Sequence, residues 1–200
     1  MEDVLTTDRL LLYPSNPCLA RAVFDYFTRN RLFLQPFEPA RESSFFTLSG
    51  QRRLLLQERR DAADGVGFRF WTIRKTYPRQ IIGSVSLGGI VWGSFQNANV
   101  SYRSDKDLLC RGFVTEALSR LVSFAFLTLG LHRLEANIMP RNAPSLRVAE
   151  KLGFTLEGLR RAYLSINGVW EDHMHMSLIN TSRTLSGKEK ESPDNSLKVT

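Results

Sequence analysis

Apolar side chains recur along this chain in two rhythms, one of helical and one of strand spacing, and their succession predicts the elements. "RLLLYP" is a short apolar run of strand type. In "PCLARAVFDYFTRNRLFLQPF", Leu19, Val23, Phe24 and Phe27 fall at helical intervals, until Pro36 and Pro39 interrupt them and open the loop "QPFEPARESS". A second helix is predicted over about Thr47 to Ala63, where Leu48, Arg52, Leu55 and Leu56 stay in step, ending before the "DGVG" turn.

Three runs rich in branched and aromatic residues come next, "GFRFWTIRK", "QIIGSVSLGGIVWG" and "NANVSYRSD". Turn-forming Tyr77-Pro78-Arg79 and Gly93-Ser94 part them, which predicts an antiparallel meander. From Phe113 to Leu129 the apolar residues share one helical face, and Gly130 supplies a stop. "HRLEANIMP" reads as a strand. "NAPSLRVAEKLGF" reads as a helix with Asn142 as cap, Pro144 in the first turn and Gly153 just past the end. "RAYLSINGVWEDHMHMSLI" is a hairpin around Asn167-Gly168, a pair suited to the two positive φ angles of a type I′ turn. No repeat period is visible. The predicted order, βααβββαβαββ, is an α+β fold: a mixed sheet flanked by helices, in one domain over residues 1–180. Residues 181–200 are polar and nearly without large apolar side chains, so a flexible tail is expected there.

Composition agrees with a single domain, since 42% of the 200 residues are hydrophobic, enough for a real core. The N-terminus lacks a basic segment followed by an unbroken apolar run, and no later run reaches the length of about 18 residues that a membrane span needs. A soluble cytoplasmic protein, monomer or homodimer, is expected. Cys18 and Cys110 are far apart and lack metal-like or redox-like spacing, so free buried thiols are expected. The net charge of +7 favours a polyanionic partner, either a phosphate-rich cofactor or RNA.

The segment "DLLCRGFVTEAL" adds chemistry to this outline, because a strand, a short loop ending in Gly112 and a long helix together make an anion site. The first N–H groups of a helix have no partner within it, its dipole is positive there, and a glycine permits close approach to the backbone. Arg111 and Lys106 add charge in the same loop.

A wider likeness runs through the residues around and beyond this loop. Gly112, the run Thr115-Glu116-Ala117-Leu118, Leu131-His132-Arg133, Asn142 with Ser145, and Lys151-Leu152-Gly153-Phe154 with Glu157-Gly158 resemble the GCN5-related N-acetyltransferase (GNAT) superfamily, in its branch of ribosomal-protein-alanine N-acetyltransferases. "LTTDRL", "FLQPFEP", "IIGSVS", "GSF" and "GVWEDH" are similar to that branch too, so the resemblance spans about Leu5 to Leu178. It implies the GNAT fold, acetyl-CoA held in a splay between two parallel strands, and direct attack of an amine on the thioester. The superfamily's phosphate loop is Gln or Arg, two residues, Gly, one residue, then Gly or Ala, and this chain has Leu109, Gly112 and Val114 at those three positions; relatives carry a further glycine where Cys110 stands. A small outward-pointing cysteine is compatible with a cradle made of N–H groups, provided its φ is negative. The implied cofactor contacts are Val100, Ser101 and Tyr102 on a strand, Leu109, Cys110, Arg111, Gly112, Phe113 and Val114 in the loop and helix start, and Asn142 with Ser145.

For the general acid, many relatives use a tyrosine in the helix after Asn142, but Ala149 stands there, and the resemblance points to Ser145 instead. A first-turn serine also commonly satisfies helix N–H groups. For the base, many relatives use a glutamate where this chain has Asn99, leaving Glu135, Glu171, Asp172 and Glu38 as alternatives. Glu38 lies in the loop where family acceptors enter, and Asp172 on the final hairpin where it can face the acceptor. His173 and His175 share a strand face, but no third ligand is evident and no metal is expected. Trp92, Phe95, Trp170, Tyr102 and Tyr163 read as packing. Three readings stand: transfer to a protein N-terminus, transfer to a small amine or antibiotic, and a weakly catalytic RNA- or ribosome-associated binding protein.

Overall fold

The computed structural model describes residues 3–181. The expected tail, apart from Thr181, lies outside the described residues. Within them eight strands form one sheet: β1 (Leu5–Thr6), β2 (Leu10–Pro14), β3 (Gly67–Arg74), β4 (Tyr77–Val91), β5 (Asn97–Ser104), β6 (Arg133–Ile138), β7 (Thr155–Ile166) and β8 (Val169–Ile179). Their spatial order is β1-β2-β3-β4-β5-β6-β8-β7, antiparallel throughout except for the parallel pair β5 and β6. Four α-helices, α1 (Ala20–Leu34), α2 (Leu48–Ala63), α3 (Phe113–Ser123) and α4 (Ala143–Lys151), complete the fold. The predicted α+β mixed sheet is found, with β1 added ahead of it; two residues are too short a run to show a period.

Successive strand residues point to opposite faces, and that alternation makes two cores. Phe68 and Phe70 join Leu118, Leu121 and Phe124 on the face covered by α3 and α4. Trp71 and Ile73 join Val23, Tyr26, Phe27 and Leu55 on the face covered by α1 and α2. Each fully buried large side chain contributes about 1.5–3 kcal/mol. The Trp71 indole, otherwise an orphan donor in that core, donates to the Ser15 hydroxyl at 3.0 Å.

Four expectations are corrected. The β3–β4 turn falls on Lys75-Thr76, not on Tyr77-Pro78-Arg79, because Tyr77 pairs with Arg74 and the extra residues are absorbed as a bulge before Ile81 meets Ile73. The helix after Gly112 does not run evenly to Leu129: α3 ends at Ser123 and a π-turn, Phe124–Thr128, closes with Leu129 N–H on the Phe124 carbonyl at 3.1 Å. Gly130, at φ +69°, still ends it. The last hairpin begins earlier, at Thr155, with irregular register on the way to Asn167 (φ +50°) and Gly168 (φ +83°). Both cysteines are free as expected but exposed, not buried. Trp92, Phe95 and Trp170, read as core or hairpin packing, lie outside the core, with Trp170 in the last hairpin opposite Ser165.

Candidate active site

The parallel pair sets the site. β5 and β6 are in register at Asn97–Arg133, Ala98–Leu134 and Asn99–Glu135, and then part. β5 stays bound to β4 as far as Ser104, and β6 to β8 as far as Ile138, so a V opens between them. Among the described residues, the alternate backbone N–H groups on the open side of β5 beyond Asn99 have no ladder partner. Of the three strand residues expected to meet a cofactor, Val100 is buried in the α3/α4 core, Ser101 shares a 2.7 Å hydrogen bond with Ser86 on the other face, and Tyr102 reaches towards α4. The backbone of this stretch lines the opening.

At one end of the V lies the loop before α3. Asp105 shapes its entry by accepting from the Asp107 N–H at 3.0 Å, while Arg29 holds the same carboxylate at 2.6 Å. Burial works to raise the Asp105 carboxyl, but the Asp107 N–H, Arg29 and Asn30 outweigh it and leave it below the usual carboxylate range. Among the described residues no acceptor meets the N–H groups of Cys110 through Thr115. Gly112 caps α3 at φ +77°. Cys110 is at φ +59°, so the condition of a negative φ is not met. The two left-handed residues flank Arg111 at negative φ, and such alternation turns successive N–H groups to one side, as anion-binding nests do. The position therefore asks for glycine, and cysteine holds it against strain of about 1–2 kcal/mol.

What braces this cradle is Glu116, which reads from the sequence as a structural partner of the loop, though its own partners leave no mark there. Glu116, in the first turn of α3, accepts from the Thr7 hydroxyl at 2.5 Å, the Arg9 N–H at 2.9 Å and Arg9 Nε at 2.6 Å. Arg9 also donates to the Arg111 carbonyl at 3.1 Å and lies over the Phe113 ring, and its Nη2 is 3.4 Å from where a Cβ on Gly112 would sit. Burial tends to raise the Glu116 carboxyl, but these bonds overcome it and hold it low. Free N–H groups, a helix N-terminus and Arg9 and Arg111 beside them fit a pyrophosphate.

At the other end of the V, α4 presents Ser145. Asn142 is the cap, its side chain accepting the Ser145 N–H at 3.3 Å. The Ser145 hydroxyl is thus free of capping and donates to the Tyr102 phenol at 2.8 Å, while Tyr102 donates to the Ser145 carbonyl at 2.9 Å. Burial pushes the Tyr102 phenol up to about 12, against the smaller opposing pull of Ser145, so it stays protonated at neutral pH. Tyr102, expected as cofactor contact or packing, is the partner of the candidate acid.

The opposite face of the sheet carries the remaining polar residues. Glu38 is not a solvated loop carboxylate: it pairs with Arg103 of β5, and both are mostly buried. Burial opposes the Arg103 charge, and Glu38 more than restores it. Nearer the V, Arg160 can only donate to His175 Nε2 (3.1 Å), so the ring proton sits on Nδ1 and donates to the Asn137 carbonyl oxygen at 3.0 Å. Asn137 then donates to Asn99 Oδ1 at 3.1 Å, which leaves the Asn99 amide as a donor. Burial first, and Arg160 second, lower the His175 imidazole. Where relatives were expected to hold a basic glutamate, this chain presents an N–H group. Asp172 accepts the Ala162 N–H at 2.8 Å within the hairpin, Glu171 pairs with Arg141 at 2.9 Å, and Glu135 pairs with Arg133 at 2.8 Å. Of the three candidate catalytic residues, then, Ser145 stands at the V, Glu38 lies across the sheet and Asp172 is engaged by the hairpin backbone. Among the described residues no group of three or more His, Cys, Asp or Glu could hold a metal ion, and no helix is long and apolar enough to cross a membrane.

Comparison with known proteins places this geometry. Residues 9–155 match the family model described as an acetyltransferase (GNAT) domain. A Bacillus subtilis protein named probable N-acetyltransferase YjcK is 48% identical over 101 residues, 50% of this chain and 56% of that one. The chain spans about half the length of the curated relatives it matches. The crystal structure of ribosomal-protein-S5-alanine acetyltransferase from Vibrio fischeri is 34% identical, with a TM-score of 0.85 over 90% of this chain and 97% of the other. RimJ of Mycobacterium smegmatis, a complex with CoA-disulfide, has the same fold at 24% identity, with a TM-score of 0.81 over 86% of this chain and 83% of that one.

Proposed function

This chain belongs to the acetyltransferase (GNAT) family, and from that premise we propose that it transfers the acetyl group of acetyl-CoA to the α-amine of a protein N-terminus, ribosomal proteins foremost. The observation that carries the reading is the V between β5 and β6, with the N–H cradle of Cys110 to Thr115 at one end and the Ser145–Tyr102 pair at the other. When bound, acetyl-CoA supplies the activated acetyl thioester.

The chain's own groups divide the remaining work. The cradle, backed by Arg9 and Arg111, holds the pyrophosphate, and Asn142 with Ser145 meets the pantetheine arm. The unpaired N–H groups of β5 beyond Asn99 stabilise negative charge on the acetyl oxygen as the amine attacks. Ser145 turns its hydroxyl from the Tyr102 phenol to the departing sulfur as the C–S bond breaks, gives the sulfur its proton, and recovers one from the nitrogen that has been acetylated.

No strong base is needed if the acceptor arrives neutral. An α-amine has a pKa of about 7.7 to 8.0, so a fair fraction is unprotonated near neutral pH, whereas a lysine side chain near 10.4 is not. The Asn99 amide, held as a donor by the His175–Asn137 chain, suits an acceptor carbonyl and not an ammonium. Similarity to the Vibrio fischeri enzyme supports ribosomal-protein acceptors. Mass spectrometry of protein N-termini from cells with and without the protein tests the reading. A set of N-termini acetylated in its presence and free in its absence is expected, and no difference at any N-terminus would refute it.

A further inference from the structure

On the α1/α2 face, a cleft opens among Phe27, Arg31, Leu34, Arg41, Phe45 and Phe46, and with the solvent at its mouth it holds about 560 Å³. Its chemistry is unusual in one respect. Arg31 lies over the Phe46 ring at 4.1 Å and Arg41 over the Phe45 ring at 4.9 Å, yet neither has a carboxylate within ion-pair distance among the described residues. The acidic residue in the cleft wall, Glu38, is consumed by Arg103. Two cations fixed on aromatic walls are thus left without a counter-charge.

The cleft is also preformed. Asn167, at the tip of the last hairpin, donates to the Gln35 carbonyl at 2.6 Å, and Arg141 donates to the Pro36 carbonyl at 2.8 Å. Both contacts pin the loop that forms one wall, so little ordering cost falls on a ligand. Its place in the fold sets a distance. Asn99, Ser101 and Arg103 share one face of β5, and at about 3.3 Å per residue Asn99 and Arg103 are about 13 Å apart along the strand. An extended peptide covers that span in about four residues.

We propose that this cleft binds a carboxylate side chain about three to five residues behind the acceptor's reacting amine, so that the enzyme selects acidic N-terminal segments. The proposal rests on transfer to protein N-termini, the function proposed for this chain. Apolar walls accommodate the methylenes of aspartate or glutamate, the arginines take the carboxylate, and Arg pairs with carboxylate in fork geometry. A nucleic-acid strand fits less well, because it needs a continuous basic track, not one pocket with phenylalanine walls.

The test compares three peptides with the same N-terminal residue and Glu, Gln or Lys at positions 4 to 6, assayed with the full chain and acetyl-CoA at low and physiological salt. The Glu peptide should exceed the Gln peptide in kcat/KM by about tenfold, through KM, with the gap narrowing as salt rises. The Arg31→Gln/Arg41→Gln double variant should bring that ratio near one and leave the Gln peptide's rate unchanged. Equal kcat/KM for Glu and Gln peptides, with the Gln peptide acetylated normally, would overturn the acidic selection alone. Acetylation of none of the peptides would overturn both the selection and the N-terminal reading beneath it.

Discussion

The Tyr102 phenol and Ser145 make two reciprocal hydrogen bonds, 2.8 Å from the serine hydroxyl and 2.9 Å to the serine carbonyl, across the gap between β5 and α4. The capping role usual for a first-turn serine is filled by Asn142. The Ser145 hydroxyl is therefore not spent on the helix end; at rest its proton points to the Tyr102 phenol, and its direction is fixed by that residue, 43 positions earlier in the chain.

Ser145→Ala should lower kcat by about 10- to 100-fold and change KM for acetyl-CoA by less than about twofold, the pattern of a lost proton donor. Tyr102→Phe keeps the hydroxyl of Ser145 but frees its orientation, so a smaller fall of about tenfold is expected. Steady-state kinetics at saturating acceptor checks both, and a Ser145→Ala enzyme of undiminished kcat would remove the serine from the mechanism.

Cys110→Gly should both stabilise the loop and tighten acetyl-CoA binding. The strain of a left-handed cysteine, about 1–2 kcal/mol, exceeds the extra chain entropy of glycine, about 0.5–1 kcal/mol. A rise in melting temperature of about 1–4 °C is expected for a domain of this size. Cys110→Val, with a branched Cβ, should move it the other way. Thermal denaturation without ligand decides this, and a lower melting temperature for the glycine variant would contradict it.

Much of this arrangement was legible in the sequence, and what was hidden shares a cause. Asn142, Pro144 and Gly153 framed α4, and Asn167-Gly168 marked the hairpin, because caps and turns are written in adjacent residues. Pairings across the fold leave no such mark: Glu116 with Thr7 and Arg9, 109 and 107 positions away, and Glu38 with Arg103, 65 away. The strain at Cys110 was hidden for another reason. Only the family pattern showed that glycine is usual there, while the φ that demands it is a property of the folded loop.

Acid should loosen the cradle before it unfolds the core. Asp105 and Glu116 bracket the loop, and both carboxyls are held below their ordinary values of about 3.9 and 4.3. For a depressed carboxyl the stabilisation is fully present above the unfolded value and is lost as pH falls through the folded one. Hydrogen exchange of the bonded amides of Lys106, Asp107, Leu108 and Glu116 should therefore lose protection below about pH 4, earlier than β3 and β4. Asp105→Asn and Glu116→Gln should flatten that dependence, and unchanged profiles in both variants would contradict the assignment.

Asn142→Ala tests the cap separately from the chemistry. Loss of its bond to the Ser145 N–H should cost about 1 kcal/mol of stability. Denaturant unfolding should show a lower midpoint at unchanged slope, and an unchanged midpoint would show that the cap contributes nothing.

Isothermal titration of acetyl-CoA into the purified protein, beside a Gly112→Glu variant checked for native circular dichroism, tests the central claim most directly. The cradle predicts one site per chain, weakened at least about tenfold when bulk and negative charge are set beside the pyrophosphate. Absence of binding to the native protein, or equal binding by a folded Gly112→Glu variant, would contradict it.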